Sequence, residues 1–429
     1  MKVGQLIKME RRKQNIKQEI LASGICSPSH LSKIESNATV PGDKVQQLLL
    51  ERLNITLKDN HEYPTPKEYT QFSERFQQLF NQRDRLAADL LYKEIHLFLK
   101  EHPLFEHKLN LLLMEIRLMF MISEDLTKIK TNISILVTIQ DDMTAKQLFH
   151  LYVIEGIVAY MENRFSNALH IFTNLYKKRD DYPLEEWEMA ELHYVLSLAA
   201  LSDYRYIASI DHVQEALSYF SARMFAKRSI ECLIILGIAQ KQSGYPEDAL
   251  VTVKKARDIM NNTGTSKSSG IIEQNLGACY SLLEDPKRAL LHFHESLKVK
   301  DKPLEQIATV LSIVKEYKKM NDIALAKTWL AKGISLLDQL SEENRLLYFH
   351  HFSIYKALLE NDDNFSSIFV DSLKYFEGIQ NYYRCFIYCN VFAEKLTEQK
   401  KFKMATTFYH KAFDYHLRYR KIQMWEELT

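Results

Sequence analysis

Residues 18–37, QEILASGICSPSHLSKIESN, carry two short helical patterns separated by a break too brief for a hairpin of long helices. Gly24 reads as the C-terminal breaker of the first, Ser27 as the N-cap of the next, and Pro28 as its first helical residue, where a missing N–H costs nothing. That next helix, about 28–36, is expected to bury Leu31 and Ile34 and to leave Ser29, His30, Ser32 and Lys33 outward. Upstream, VGQLIKMERRKQN (3–15) places Val3, Leu6, Ile7 and Met9 on one side and Lys8, Arg11, Arg12 and Lys13 on the other. This predicts a first helix with a basic outer face, and Asn15 is expected to cap the second helix with Gln18 as its capping-box partner. Two short helices about a tight Gly-containing turn let the second lie in a major groove, while the first helix and the Gln18 end face phosphates.

Charge points to the same end of the chain. The whole sequence has a formal charge of +1, from 56 basic and 55 acidic residues, so nothing global announces a polyanionic or membrane partner. Residues 1–60, however, hold ten Lys or Arg against six Asp or Glu, and any polyanion is expected to meet that segment.

These residues also carry a resemblance. The stretch 18–37, followed by Val40-Pro41, resembles the helix-turn-helix of Xre or lambda-repressor-type regulators, and more narrowly the PlcR and NprR group (RNPP family) of Gram-positive peptide-responsive regulators. Gln18, Leu21, Ala22, Ile25, Ser27, Leu31, Ser32, Ile34 and Glu35 fall where that pattern expects them. The resemblance covers about 55 residues and implies that Gln18 binds phosphate and that Ser27, Ser29, His30 and Lys33 face DNA. Pro28 and His30 in the reading positions depart from the pattern, so no operator sequence carries over.

The composition favours helices throughout. Only 11 Gly and 9 Pro in 429 residues leave few turn breakers, and 46% hydrophobic content is ample for burial. Five scattered cysteines (Cys26, Cys232, Cys279, Cys385, Cys389) read as buried thiols in a reducing compartment. Cys385 and Cys389 share a helix face but have no second ligand pair, so no metal site is expected. The most apolar run, LNLLLMEIRLMFMI (109–122), is interrupted by Glu115 and Arg117 and is too short to span a bilayer. With no signal-peptide pattern at the start, the expectation is a soluble, cytoplasmic protein without a membrane partner.

After KDNHEYPTPKEYT (58–70), amphipathic patterns run with short breaks to the end. A small residue is followed twelve positions later by Ala in Gly156/Ala168, Gly237/Ala249 and Gly277/Ala289, and Val314/Ala326 and Ala393/Ala405 keep the spacing. Four residues after each Ala stands a bulky side chain: Phe172, Val253, Phe293, Leu330 and Tyr409. Seven after it, Ala256, Ser296, Gly333 and Ala412 are small. The pattern resembles the tetratricopeptide repeat, in which small residues let paired helices cross closely and the bulky one fills the gap. Steps of 40 and 37 residues exceed the usual unit of about 34, as longer helices of the Rap and NprR kind would. Weaker repeats are expected near Ala208 and Ser366, and the segment from FQQLFNQRD (76–84) through IRLMF (116–120) is expected to supply further pairs.

Stacked pairs form a superhelix with a concave groove suited to an extended peptide or a partner helix. The register places Ile271, Gln274, Asn275 and Ala278 on its inner side, with Lys241, Ser312, Lys315, His351 and Asn390 in neighbouring repeats. Two residues before the small position stand Ile154, Ile235, Asn275, Ser312 and Val391, so only the middle of the array turns polar. Asn275 offers both a donor and an acceptor to a peptide backbone, and the resemblance implies that use. The bland reading is that Asn275 bonds only to an adjacent helix. Lys241 and Lys315 are candidates for a terminal carboxylate. Where PlcR-like chains carry another asparagine, this one has Val195.

There is no Gly-rich phosphate loop, no HExxH, no paired carboxylates at an evident site and no nucleophile motif, so neither an enzyme nor a cofactor is expected. The His292/His294 and His350/His351 pairs cannot point two imidazoles along one helix face. The sequence therefore predicts an all-α protein: a helix-turn-helix DNA-binding domain over 1–58, a linker over 59–68, and a right-handed α-solenoid of tetratricopeptide-like repeats over 69–429. The expected function is a quorum-sensing transcriptional regulator that binds a double-stranded operator as a homodimer. A short secreted and re-imported peptide in the repeat groove would control it. A Rap-like inhibitor of a response regulator and a phage lysis-lysogeny peptide receptor are the alternatives.

Overall fold

The structure, a computed structural model, describes residues 2–55, 66–102, 107–265, 268–360 and 364–420, and among these it is all-helical. They divide into two compact units, Met1–Asp203 with Asp211–Cys232, and Tyr204–Ile210 with Leu233–Thr429. The expected linker lies outside the described residues up to position 65, and its last three residues already form the first turn of a helix.

The first unit opens with α1 (Val3–Lys13), α2 (Gln18–Ala22), α3 (Pro28–Glu35) and α4 (Asp43–Arg52). Longer helices follow: α5 (Pro66–Gln82), α6 (Arg85–Glu101), α7 (Lys108–Ile122), α8 (Leu126–Val137), α9 (Ala145–Met161), α10 (Phe165–Lys177) and α11 (Glu186–Ser202). α12 (Tyr206–Ala222) and α13 (Ala226–Gln242) contribute residues to both units. The second unit continues with α14 (Pro246–Thr263), α15 (Ser269–Leu282), α16 (Pro286–Lys298), α17 (Pro303–Lys319), α18 (Ile323–Leu336), α19 (Glu342–Glu360), α20 (Phe365–Gly378), α21 (Tyr382–Glu398) and α22 (Phe402–Arg420).

The repeat register is realised as helix hairpins, among them α9–α10, α15–α16, α17–α18 and α21–α22. A Cβ on Gly156 would stand 2.3 Å from the Phe172 ring, one on Gly237 2.5 Å from Val253, and one on Gly277 2.6 Å from the Phe293 ring. The small residue and the bulky one sixteen later therefore occupy the same space, which is why the spacing recurs. Ala168, Ala249, Ala289, Ala326 and Ala405 are all buried at the crossings.

The weaker repeats expected near Ala208 and Ser366 fall in α12 and α20, although Ala208 and Ser366 themselves are exposed. In α12 the register falls on buried Ser209, Val213 and Ala216, with buried Ser197 twelve residues before Ser209. In α20 it falls on buried Phe369, Leu373 and Phe376. Tyr409 does not fill a gap but is 42% exposed. Its place is taken by Phe408, whose ring lies 4.6 Å from Phe392 and 5.6 Å from Phe369. The small positions Ala393, Ala405 and Ala412 of the last hairpin stay buried in register, and only its bulky position shifts by one residue.

Candidate functional site

The helix-turn-helix forms as read at its centre. The Ser27 hydroxyl accepts from the His30 N–H at 3.1 Å, Pro28 opens α3, and Leu31 and Ile34 are fully buried. Ser27, Ser29, Ser32 and Lys33 are exposed and His30 is half-buried, so the outward face of α3 is open. Gly24, with φ +72°, makes the turn that an L side chain would strain.

The start of the module differs from expectation. Asn15 does not cap α2 but closes α1 in the left-handed region, φ 55°, and Lys17 takes the N-cap position. Arg11 is not on a basic outer face. It is buried, its Nε and Nη2 donating to the Glu35 carboxylate at 2.6 and 2.8 Å while Nη1 donates to the Ile16 carbonyl. Gln18, half-buried, donates its amide to the same carboxylate at 2.7 Å. Glu35 thereby ties together the end of α1, the start of α2 and the end of α3, which fixes how α3 is presented. A Cβ on Gly4 would lie 1.9 Å from the Ile34 carbonyl, so glycine lets α1 approach α3 that closely. The other side of α1 packs on α8. Lys108, at the start of α7, is pushed down to about 8 by burial, partly offset by the charge of Glu10 of α1. α1 is therefore an interior helix, and α3 remains the open one.

The inner positions expected in the middle of the array form two hydrogen-bonded polar groups in the second unit. Lys241 Nζ donates to Asn275 Oδ1 at 3.0 Å, and Asn275 Nδ2 donates to the Ile271 carbonyl at 2.9 Å. Asn275 thus bonds to its own helix and to α13, the bland reading of that residue; a peptide backbone would have to displace Lys241 to reach Oδ1. Gln274 Nε2 donates to Ser312 Oγ at 3.2 Å, and its carbonyl oxygen accepts from Lys300 and from Thr309. Ile271 is 45% exposed, and Ala278 is half-buried. Burial lowers the pKa of Lys241 and brings Lys300 down to about 8.

Towards the carboxyl end the predicted residues separate. His351 is not a groove residue. It is 1% exposed, bonded through Nδ1 to the Tyr388 hydroxyl and packed against the Phe376 ring. Burial, followed by the charges of Arg384 and Lys315, holds it well below the usual histidine range. Asn390, half-buried, donates to the Phe386 carbonyl of its own helix at 2.9 Å. Lys315, half-buried, stands 5.6 Å from the Tyr355 ring and is brought down to about 7, first by burial and then by Arg384 and Lys319.

Sequence reasoning missed a buried ion network in the first unit. Glu191 accepts from Arg117 at 3.1 Å and from Arg228, while Glu231 accepts from Arg228 and Arg83, both at 3.2 Å. Arg228 is fully buried between the rings of Tyr194 and Phe220. Beside it opens a mostly apolar cavity of about 230 Å³, lined by Phe80, Phe120, Ile157, Phe172, Leu198 and Val195 among others. Arg384 was missed as well; a lone arginine four residues before buried Tyr388 was the available signal. Among the described residues, no group of three His, Cys, Asp or Glu is placed to hold a metal, and no helix is long and apolar enough to cross a membrane.

No protein-family model matches the chain. It is similar to the transcriptional activator NprA of Geobacillus stearothermophilus, 27% identical over 405 residues, covering 92% of this chain and 98% of that one. In fold it is similar to a Rap protein solved with competence and sporulation factor, with TM-score 0.70, 17% identity, and coverage of 84% of this chain and 100% of that one. It is also similar to NprR solved with its cognate peptide NprX, with TM-score 0.63, 18% identity, and coverage of 82% and 98%. The resemblance to the NprR group, first carried by the helix-turn-helix and repeat residues, thus holds along nearly the whole chain: in sequence to NprA, and in fold to Rap and NprR.

Proposed function

We infer that this protein is a transcriptional regulator that binds duplex DNA through the open face of α3 and is controlled by a short peptide taken up by the repeat array. The observation that carries the reading is that similarity to a transcriptional activator extends over 92% of this chain and 98% of that one. Residues 1–58 serve as the DNA-binding domain, and 69–429 as the peptide-binding and oligomerisation domain. Ser27, Ser29, His30 and Lys33 face the duplex; Gln18 acts through Glu35 to set α3, with phosphate contact as its second use. Asn275, Gln274, Ile271, Lys241, Ser312 and Lys315 form the peptide-facing set, with Asn390 at its margin. Peptide binding shifts the array towards one of its conformations by differential affinity, and the DNA-binding modules of a homodimer change their spacing with it.

The test is enrichment of a random-sequence duplex pool by the full chain, followed by a salt titration on the enriched sequence. A steep fall of affinity with salt is expected, and Lys33→Ala lowers that slope by about one. A pool that yields no enriched sequence, or an affinity indifferent to salt, refutes the DNA-binding reading. A Rap-like inhibitor of a response regulator would instead capture a receiver domain with α3 substitutions without effect.

A further inference from the structure

The first helices of three consecutive hairpins, α17, α19 and α21, bring two cations and three tyrosines together without a carboxylate between them. Lys315 lies on α17 with its Nζ 5.6 Å from the Tyr355 ring of α19. Arg384 lies on the first turn of α21, and its charge acts on Lys315, Tyr348, His351, Tyr355 and Tyr388. The acid that acts on Lys315 is Glu316, but its Oε1 is 3.1 Å from Lys319 Nζ and accepts from the Ser281 hydroxyl. Neither Lys315 nor Arg384 forms an ion pair with any described residue, and both are half-buried. His351, held neutral by burial and by these same two charges, adds no third positive charge.

Charged side chains are almost never buried fully unless paired, because removing them from water is costly, and like charges near one another in low dielectric repel. Here two cations act on one another, and the carboxylate that acts on Lys315 is engaged through its Oε1 by Ser281 and Lys319. Lys241, the other lysine that could meet a carboxylate, is spent on Asn275. An arginine fork beside a lysine point charge, with tyrosine hydroxyls around them, is the donor set that recognises a carboxylate.

We propose that Lys315 and Arg384 form the carboxylate subsite of the repeat array and take either the carboxyl terminus of a bound peptide or the side chain of an Asp or Glu within it. The proposal rests on the reading of the array as a peptide receptor. It names the chemistry that anchors one point of the ligand.

Three synthetic heptapeptide pools test it on the full chain. The first has free carboxyl termini and no Asp or Glu, the second is the same pool amidated, and the third is amidated with one Asp or Glu per peptide. Retained peptides are quantified by mass spectrometry. The first or the third pool is expected to be retained about tenfold or more over the second, and whichever is preferred identifies the source of the carboxylate. In Lys315→Met/Arg384→Gln that preference falls to within about twofold, while peptides are still retained. Equal retention of all three pools, or a preference that survives in the double variant, overturns the subsite and leaves the receptor reading standing. Retention of none by the native chain overturns the receptor reading and the subsite with it. Should the double variant fail to fold, Arg384→Lys, which keeps the charge and loses the fork, is expected to weaken the same preference; an unchanged preference there overturns the proposal.

Discussion

Replacing Lys315 by methionine should make the protein more stable, and by an amount that depends on pH. Burial, with Arg384 and Lys319 adding, brings the ammonium from the ordinary 10.5 down to about 7. At about 1.36 kcal/mol per pH unit, that displacement corresponds to an upper limit of about 5 kcal/mol of penalty for keeping Lys315 charged in the folded state. Lys315 retains some exposure to solvent, which screens its repulsion, so roughly 1–3 kcal/mol is the expected gain on removing it. Because the folded value is depressed, the unfolded chain binds the extra proton between about pH 7 and 10.5. The penalty is therefore complete below about pH 7 and fades as pH rises towards 10.5. Methionine keeps the length of the stem and removes the charge, so urea denaturation of native and Lys315→Met protein at pH 6, 7.5 and 9.5 isolates the effect. The gain should be largest at pH 6 and smallest at pH 9.5. A variant less stable than the native chain at pH 6, or a gain that does not shrink with pH, would refute the claim that this lysine stands uncompensated.

Other expectations follow from the packing. Glu35→Gln leaves the buried Arg11 guanidinium without its counter-charge; the amino-terminal module should lose about 3–5 kcal/mol, read as lost amide-exchange protection in α1 and α3. Gly277→Ala gains about 1 kcal/mol of helix propensity but sets a Cβ 2.6 Å from the Phe293 ring and 3.0 Å from a backbone carbonyl. Its melting temperature should fall, whereas Gly378→Ala, with nothing within 4 Å, should melt at or above the native chain. Burial pushes Cys385 and Cys389 up to about 12 and raises Cys232 and Cys279 as well. Ellman's reagent on the folded protein at pH 8 should therefore label Cys26, the half-buried thiol, well before the other four; rapid labelling of four or five would contradict the buried reading.

Much of the fold was legible because its determinants are local. Ser27 and Pro28 start α3 through a hydroxyl and a fixed φ, and both act within one turn. The glycines of the repeats and the aromatics sixteen residues later are legible for a related reason: each hairpin solves the same crossing with the same pair of side chains. The misread residues are those whose role depends on a neighbour distant in sequence. Arg11 is basic and in register with Lys8 and Arg12, yet Glu35, 24 residues on, draws it inside. His351 has inner register, but Tyr388 from α21 and the ring of Phe376 close over it.

Residue spacing is enough to read that this chain is helical, that its amino-terminal segment presents α3 outward, and that the centre of the repeats is polar. Periodicity, caps and small-residue spacing are properties of a single helix or hairpin. Which polar residues are already spent follows only from how the helices pack. Asn275 and Lys241 satisfy one another, Gln18 and Arg11 share Glu35, and Lys315 and Arg384 are left facing each other's charge. Whether a polar group is free for a ligand depends on where the other polar groups end up, and a partner 24 or 34 residues away is set by how helices pack rather than by the register of either one.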